Sequence, residues 1–257
     1  MHEIYKHNPT TRFSDRAKVY VAYRPNYPVS AINYLEEKKV LFQNCQIADL
    51  GAGTGIFAKL LLDKGYSVTC VEPNKEMAEE GMLFLTGYNT SSWVNGSAEN
   101  TNLATQSQDV IVCAQAFHWF EPTATRKELS RVLRPDGNLV LIWNSRKSDA
   151  NDFMKEYKEI AKKYGKEYNK IQETQSDDKS IAQFYGHEPE KVTFDNFQEL
   201  SCEALIGRVF SSSYMPSETS LERKLAEQEL EYLFTRHNKS GFVRFEYETR
   251  MYVGQLR

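Results

Sequence analysis

Long apolar runs are missing from this chain. Nowhere do about 18 apolar residues follow one another, the length a helix needs to cross a bilayer, so no membrane span is expected. A basic excess is missing too. Lys and Arg number 32 against 35 Asp and Glu, a net charge of −3. That balance argues against a general affinity for nucleic acid or anionic lipid. Cysteine is scarce and unpatterned. Cys45, Cys70, Cys113 and Cys202 form no C-x-x-C pair, and no His stands at metal-ligand spacing from them. Neither a metal site nor a disulfide framework is therefore expected. Cys70 and Cys113 lie in apolar runs, where a thiol behaves as a small hydrophobe. The opening MHEIYKHNPTTRFSD is polar and has no apolar signal core. With reduced thiols, it leads to the expectation of a cytoplasmic protein. Repeats and low-complexity tracts are absent. What is present is 40% apolar residues over 257 positions, enough for a sizeable core.

From 47 to 146 short apolar runs alternate with helical patterns. QIADL, YSVTCVE, SSWVNGSAE, QDVIVCAQ and NLVLIWN read as strands. IFAKLLLDKG, PNKEMAEEGMLFL and EPTATRKELSRVL read as helices between them, with Phe57, Leu60 and Leu61 on one face of the first. RPDG reads as a turn. Strand and helix in alternation imply βαβ units, a parallel sheet and helices on both its faces. Ligands then bind beyond the carboxyl ends of the strands. Residues 147–190 are charged and tyrosine-rich with weak apolar periodicity, and read as solvated helices and a loop, or as a lid. Afterwards KVTFDNFQEL reads as a strand, SCEALIGRVFSSSYMP as a helix ending near Pro216, and SLERKLAEQELEYLFTRH as an amphipathic helix. The closing GFVRFEYETRMYVGQL alternates polar and apolar residues, as a half-buried antiparallel strand does.

Chemistry gathers where strands end. Asp49 closes the first strand, and Gly51, Gly53 and Gly55 lead into a helix. Glycine lets backbone amides approach a ligand closely and adopt φ > 0. The helix start adds free N–H groups. G-x-G-x-G alone serves structure as readily as binding. Glu72 sharpens it, ending the second strand about 20 residues after Asp49, where a ribose-binding acid is expected. Glu99 follows the third strand, within reach of an adenine amino group. Together the three features indicate a nucleoside site.

The stretches IADLGAGTGIFAKLL, VTCVEPNKEM, WVNGSAEN, QDVIVCAQAFHWF and ELSRVLRPDGNLVLIWNSR resemble those of class I S-adenosylmethionine-dependent methyltransferases. YRPNYP and AQAFHWF are similar to a small-molecule, methyltransferase-11 type subgroup related to trans-aconitate methyltransferases. The resemblance implies a Rossmann-like α/β fold. Its seven-stranded, mostly parallel sheet would have one antiparallel strand, helices on both faces and a helical insert after the fifth strand. It implies one domain, with a helical cap at 1–46, a cofactor-binding core at 47–146, the insert at 147–190, and 191–257 completing the sheet. It implies S-adenosylmethionine as cofactor and S-adenosylhomocysteine as product. The cofactor residues would be Tyr20, Arg24, Asp49, Gly51, Ala52, Gly53, Gly55, Glu72, Pro73, Ala98, Glu99 and Gln115. Within that set Asp49 would lie near the ammonium, Glu72 at the ribose, Ala98 and Glu99 at the adenine, and Gln115 at the methionine end. Tyr20 and Arg24 would fold over the cofactor, with Arg24 able to meet a carboxylate.

The reaction so implied is in-line displacement at a sulfonium methyl, in which positioning is the protein's main task. His118 is the candidate general base, with a structural role as the alternative. His118, Trp119, Trp143 and Tyr214 are candidates for an acceptor pocket, and Arg146 and Arg208 for anchoring an acid. The Asn/Asp-Pro-Pro-aromatic stretch of base- and amide-methylating relatives is replaced by AQAFHWF. A small organic acceptor, with a carboxylate or hydroxyl, is therefore expected rather than nucleic acid. Two other readings share the glycine fingerprint: a non-catalytic S-adenosylmethionine-binding protein and an NAD(P)-dependent oxidoreductase. No motif specifies the acceptor or an oligomeric state.

Overall fold

The computed structural model describes residues 17–166, 168 and 177–256. Its seven strands are β1 (Ile47–Leu50), β2 (Val68–Val71), β3 (Ser91–Val94), β4 (Gln108–Ala114), β5 (Leu133–Arg146), β6 (Glu190–Leu200) and β7 (Val243–Gly254). They form one sheet in the order β3-β2-β1-β4-β5-β7-β6. The first five pair in parallel. β7 is antiparallel to both β5 and β6, pairing Arg146 with Tyr247 and Leu200 with Val243. The expected single antiparallel strand is therefore the closing one. Strand order reverses between β1 and β4, so the crevice for a ligand opens beyond Leu50 and Ala114.

Alternate residues of the buried strands feed two faces. On one face Ile47, Val110, Val112, Val140 and Ile142 meet α2 (Val29–Glu37) and α3 (Ile56–Asp63), which contribute Ile32, Leu35, Phe57 and Leu61. On the other, Ala48, Ile111, Cys113, Leu139 and Leu141 meet α5 (Pro122–Val132) and α7 (Asp178–Tyr185). α4 (Lys75–Phe84) follows β2, and its start is fixed by Asn74, whose side-chain oxygen accepts from the Met77 N–H at 2.9 Å. All four cysteines are free thiols, and Cys70 and Cys113 are buried.

A third core changes the reading of the insert. α6 (Asp152–Tyr164) buries Phe153, Met154, Tyr157, Ile160 and Ala161. It packs with α8 (Cys202–Phe210), α9 (Leu221–His237) and the Val243, Phe245 and Tyr247 face of β7. The solvated segment expected there is instead a structural wall, because these five residues make one continuous stripe at helical spacing. Position 167 and residues 169–176 of the insert, like residues 1–16 of the cap, lie outside the described residues. Two boundaries also differ. Arg134, Pro135 and Asp136 of RPDG form an exposed excursion inside β5, where register jumps from Gln108–Leu133 to Val110–Asn138. Pro135 has no N–H for the ladder and is accommodated only at such a break. α8 ends at Phe210, ahead of three serines, rather than near Pro216.

α1 (Ala17–Tyr23) leans on α8. Gly207 makes this possible, since a Cβ there would stand 2.4 Å from the Tyr23 ring. The third core and α1 thus rise over the carboxyl ends of β4 and β5 and enclose the crevice.

Candidate functional site

The loop after β1 is built from left-handed glycines, with φ of +64° at Gly51 and +57° at Gly53. The Gly51 N–H donates to the Val71 carbonyl at 2.9 Å, tying the loop to the end of β2. A Cβ on Gly51 would stand 2.7 Å from the Ala116 Cβ, so loop and β4 end meet with no room for a side chain. Glu72 completes the frame. Its Oε2 accepts from the Gly53 N–H at 2.8 Å and its Oε1 from the Asn74 N–H at 2.9 Å. Burial raises the Glu72 pKa, and these two amide bonds pull it back. Each oxygen keeps further acceptor capacity.

Asp49 lies under the loop, 1% exposed. Neither carboxylate oxygen has a hydrogen-bond partner in good geometry among the described residues. Burial first, and then the Glu72 charge, push its pKa up to about 8, and the nearby Ala58 N–H offsets part of the rise.

A cavity of about 230 Å³ opens above this frame. One end carries Gly51, Ala52, Gly53, Glu72, Pro73, Ala98 and Glu99, as expected for a nucleoside. Glu99 is already half engaged, accepting from the Glu121 N–H at 2.9 Å. The other end carries Tyr20, Arg24, Gln115, His118, Trp119 and Tyr214, joined by Arg146 and Arg208. Gln115 has φ of +57°, rare for a residue with a side chain and a form of strain that clusters at functional sites. Its Oε1 accepts from the Asn144 N–H at 2.9 Å. Asn144 also lines the cavity, and sequence reasoning overlooked it because nothing local marks the position after Trp143.

Three expected residues do not line the cavity. Asp49 is beneath the cavity rather than on its wall. Gly55 also stays off the wall. It has φ of +78° at the N-cap of α3, where a Cβ would meet the Leu85 Cδ1 at 2.9 Å. Trp143 belongs to the core under the site, edge-on to Phe117 and Tyr252 at 6.2 and 5.9 Å between ring centres. It shares the inner face of β5 with Leu139 and Leu141.

His118 is in a 3-10 turn, Phe117–Trp119. The Trp143 Nε1–H donates to its Nδ1 at 3.4 Å. Indole N–H is only a donor, so in neutral His118 the proton is on Nε2. Burial, and then the Arg24 charge, lower its pKa to about 4. His118 at neutral pH is thus uncharged, with Nε2 as a hydrogen-bond donor.

Around it are three guanidiniums. Arg24 Nη2 donates to the Ser211 carbonyl at 2.9 Å. Arg208, 4% exposed, donates through Nε to the Tyr247 hydroxyl at 2.8 Å. Arg146 Nη1 donates to the hydroxyls of Tyr157, at 2.9 Å, and Tyr214. Among the described residues no group of His, Cys, Asp and Glu could hold a metal ion, and no helix is long and apolar enough to cross a membrane.

This sheet, with its closing antiparallel strand and its glycine loop facing an acid at the end of β2, is a Rossmann-like α/β arrangement. Residues 48–141 match the family described as a methyltransferase domain. Solved structures share the fold. A protein described as a type II methyltransferase from Anaeromyxobacter dehalogenans superposes with a TM-score of 0.66 at 19% identity, covering 91% of this chain and 99% of that one. A protein from Anabaena variabilis, described as a methyltransferase from an antibiotic biosynthesis pathway, gives 0.61 at 18% identity, covering 87% and 95%. Among curated proteins, an uncharacterized methyltransferase of Mycobacterium tuberculosis is 35% identical over 134 residues, 52% of each chain. One from Schizosaccharomyces pombe is 31% identical over 149 residues, 58% of this chain and 57% of its own. A malonyl-[acyl-carrier protein] O-methyltransferase of Methylococcus capsulatus is 36% identical over 99 residues, 37% of this chain and 35% of its own. The chain spans about half the length of the first of these curated relatives.

Proposed function

We propose that the chain transfers a methyl group from S-adenosylmethionine to a small organic acceptor. The observation that carries this reading is the Glu72 carboxylate, held by two backbone amides beside Gly53 and facing the cavity. Such a carboxylate has lone pairs left for two ribose hydroxyls. The glycines leave that end of the cavity without side chains, and the Asp49 carboxyl beneath has oxygens without a hydrogen-bond partner, a group that a bound cation would favour in its ionised form. These features fit a nucleoside that carries a cationic sulfonium, and Ala98 and Glu99 would border its base. When bound, the cofactor supplies a methyl group activated by the sulfonium, which departs with the bonding electrons on sulfur.

The chain's own residues then hold and orient the acceptor. Gln115, fixed by Asn144, and His118, donating from Nε2, face the acceptor end, while Tyr214 and Trp119 wall it. With His118 kept neutral, the site favours an acceptor that arrives ionised. The acidic overall charge supports a small molecule over nucleic acid, and the free thiols support a cytoplasmic setting.

Calorimetric titration with S-adenosylmethionine and with NAD, followed by tritiated-methyl transfer to a panel of small acids, phenols and amines, tests the reading. Binding of S-adenosylmethionine with label transfer is expected. NAD binding without S-adenosylmethionine binding would overturn it. Binding without transfer to any of the panel would favour a non-catalytic protein.

A further inference from the structure

An amphipathic helix has one apolar face, and α9 has two. Ala226, Leu230 and Leu233 are buried in the third core. On the other side of the helix Leu221, Leu225 and Tyr232 are 69%, 44% and 66% exposed. At ~100° per residue these three fall within about 40° of one another and about 80° or more from the buried trio. The flanks of this outer stripe are charged in a fixed order. Lys224 and Glu231, two turns apart, border it on one side, and Glu222 and Arg236 border it on the other. Lys224, Glu231 and Glu222 are exposed and enter no ion pair among the described residues. Arg236 reaches Glu156 at 2.9 Å, yet its side chain stays 45% exposed.

We propose that this outer face of α9 binds a second copy of the chain, helix against helix, antiparallel about a two-fold axis near Gln228. That alignment sets Leu225 against the partner's Tyr232 and Tyr232 against the partner's Leu225. It brings Lys224 opposite the partner's Glu231 and Glu222 opposite the partner's Arg236, and the two-fold axis makes each pair twice. Glu229, close to the axis, is balanced within its own chain by Lys163 and Tyr164. A parallel alignment would put Lys224 beside the partner's Lys224 and Glu231 beside the partner's Glu231. The order of charge therefore selects the antiparallel one, and the opposed helix dipoles favour it as well. The same residues disfavour a lipid surface. Three Lys and Arg stand against four Glu in α9, whereas a helix that lies on a membrane is rich in bases. A helix of 17 residues is ~25 Å long and buries less than the ~800 Å² per partner of a standard interface. The dimer is therefore weak, with a dissociation constant of roughly 10–100 µM, and sensitive to salt.

Sedimentation velocity of the full chain tests it, from about 1 to 300 µM and at about 0.05 and 1 M salt. The wild type is expected to pass from monomer to dimer over that range, and high salt to weaken the association. Lys224→Glu and Glu231→Lys each set like charges against each other twice, and Leu225→Asp puts a charge into the apolar stripe. Each is expected to weaken association about tenfold or more. All three positions are exposed, and an unchanged urea midpoint in dilute solution shows that each variant folds. An equimolar mixture of Lys224→Glu with Glu231→Lys regains attraction at both contacts, and is expected to associate about as tightly as the wild type. A wild type that stays monomeric throughout would overturn the proposal. So would a dimer that the single variants leave unaltered, since it would use another face. A mixture no tighter than its two components would overturn the antiparallel register. None of these measurements involves S-adenosylmethionine, so they succeed or fail independently of the methyltransferase reading.

Discussion

Replacing Asp49 by asparagine removes a charge that the fold buries without a partner. Unfolded, this carboxyl titrates near 3.8, and folded near 8. Between those values the native chain holds a proton that the unfolded chain releases, so stability falls as pH rises across the window. Four pKa units at ~1.4 kcal/mol each set a ceiling of ~6 kcal/mol. Buried sites relax and behave as if more polar than dry protein, so ~2–3 kcal/mol is the expected effect. Asn keeps the shape of the protonated acid and cannot ionise. Urea unfolding of the cofactor-free wild type and Asp49→Asn, at several pH values from about 5 to 8, isolates the group, because all other titrations cancel in the difference. The variant should gain on the wild type steadily toward pH 8. In a Glu72→Gln background that gain should be smaller and level off at lower pH, since the Glu72 charge is the second cause of the raised pKa. Parallel stability curves for wild type and Asp49→Asn would refute the argument, because they would mean that Asp49 is ionised in the folded protein at ordinary acidity.

Other outcomes follow from the same geometry. Glu72→Gln loses one of two amide anchors and the charge facing the ribose, so affinity for S-adenosylhomocysteine should fall ~10- to 100-fold by calorimetry. Gly51→Ala forces a Cβ at φ +64° against Ala116, and should lower stability by ~1–3 kcal/mol in urea unfolding and weaken cofactor binding. His118 stays neutral above its pKa of about 4, so the rate profile of the wild type should show no limb between pH 5 and 8 that His118→Asn abolishes. A lost limb near pH 6.5 would restore the base. Trp143→Phe removes the indole donor to His118 Nδ1 and frees the imidazole tautomer, so the His118 Nε2 proton signal should weaken in NMR spectra of the variant.

The glycine-lined end of the cavity was legible in the sequence because its parts are local. A glycine turn between a strand and its helix, and an acid at the next strand end, are each set by a few neighbouring residues. That Asp49 and Gly55 do not line the cavity is beyond what locality can give. One is covered by the loop, and the other is turned against Leu85 by the helix it starts. Trp143 shows the limit in a strand buried on both faces. Both parities of β5 are apolar, so no alternation tells which residue looks out. In α6 the apolar stripe was present but diluted by lysines and glutamates, and its partners are some 50 to 90 positions away in α8, α9 and β7.

That non-local layer gives the cavity its second sign. The acids come from the β1–β2–β3 half of the sheet, whereas Arg24, Arg146 and Arg208 converge from the chain's beginning, middle and end. Arg208 is held by Tyr247, which also donates to Gln198, so the position of its charge depends on the β6–β7 pairing. Arg146 is at the end of β5 but is fixed by Tyr157 of α6 and by Tyr214 beyond α8. The nucleoside frame contains none of these tyrosines. Charge at the acceptor end can therefore be altered without disturbing Gly53 or Glu72. Substituting Tyr157 by Phe should loosen Arg146 and lower stability in urea unfolding by ~1 kcal/mol while leaving the affinity for S-adenosylhomocysteine intact. A parallel loss of both would mean that the two ends share one framework.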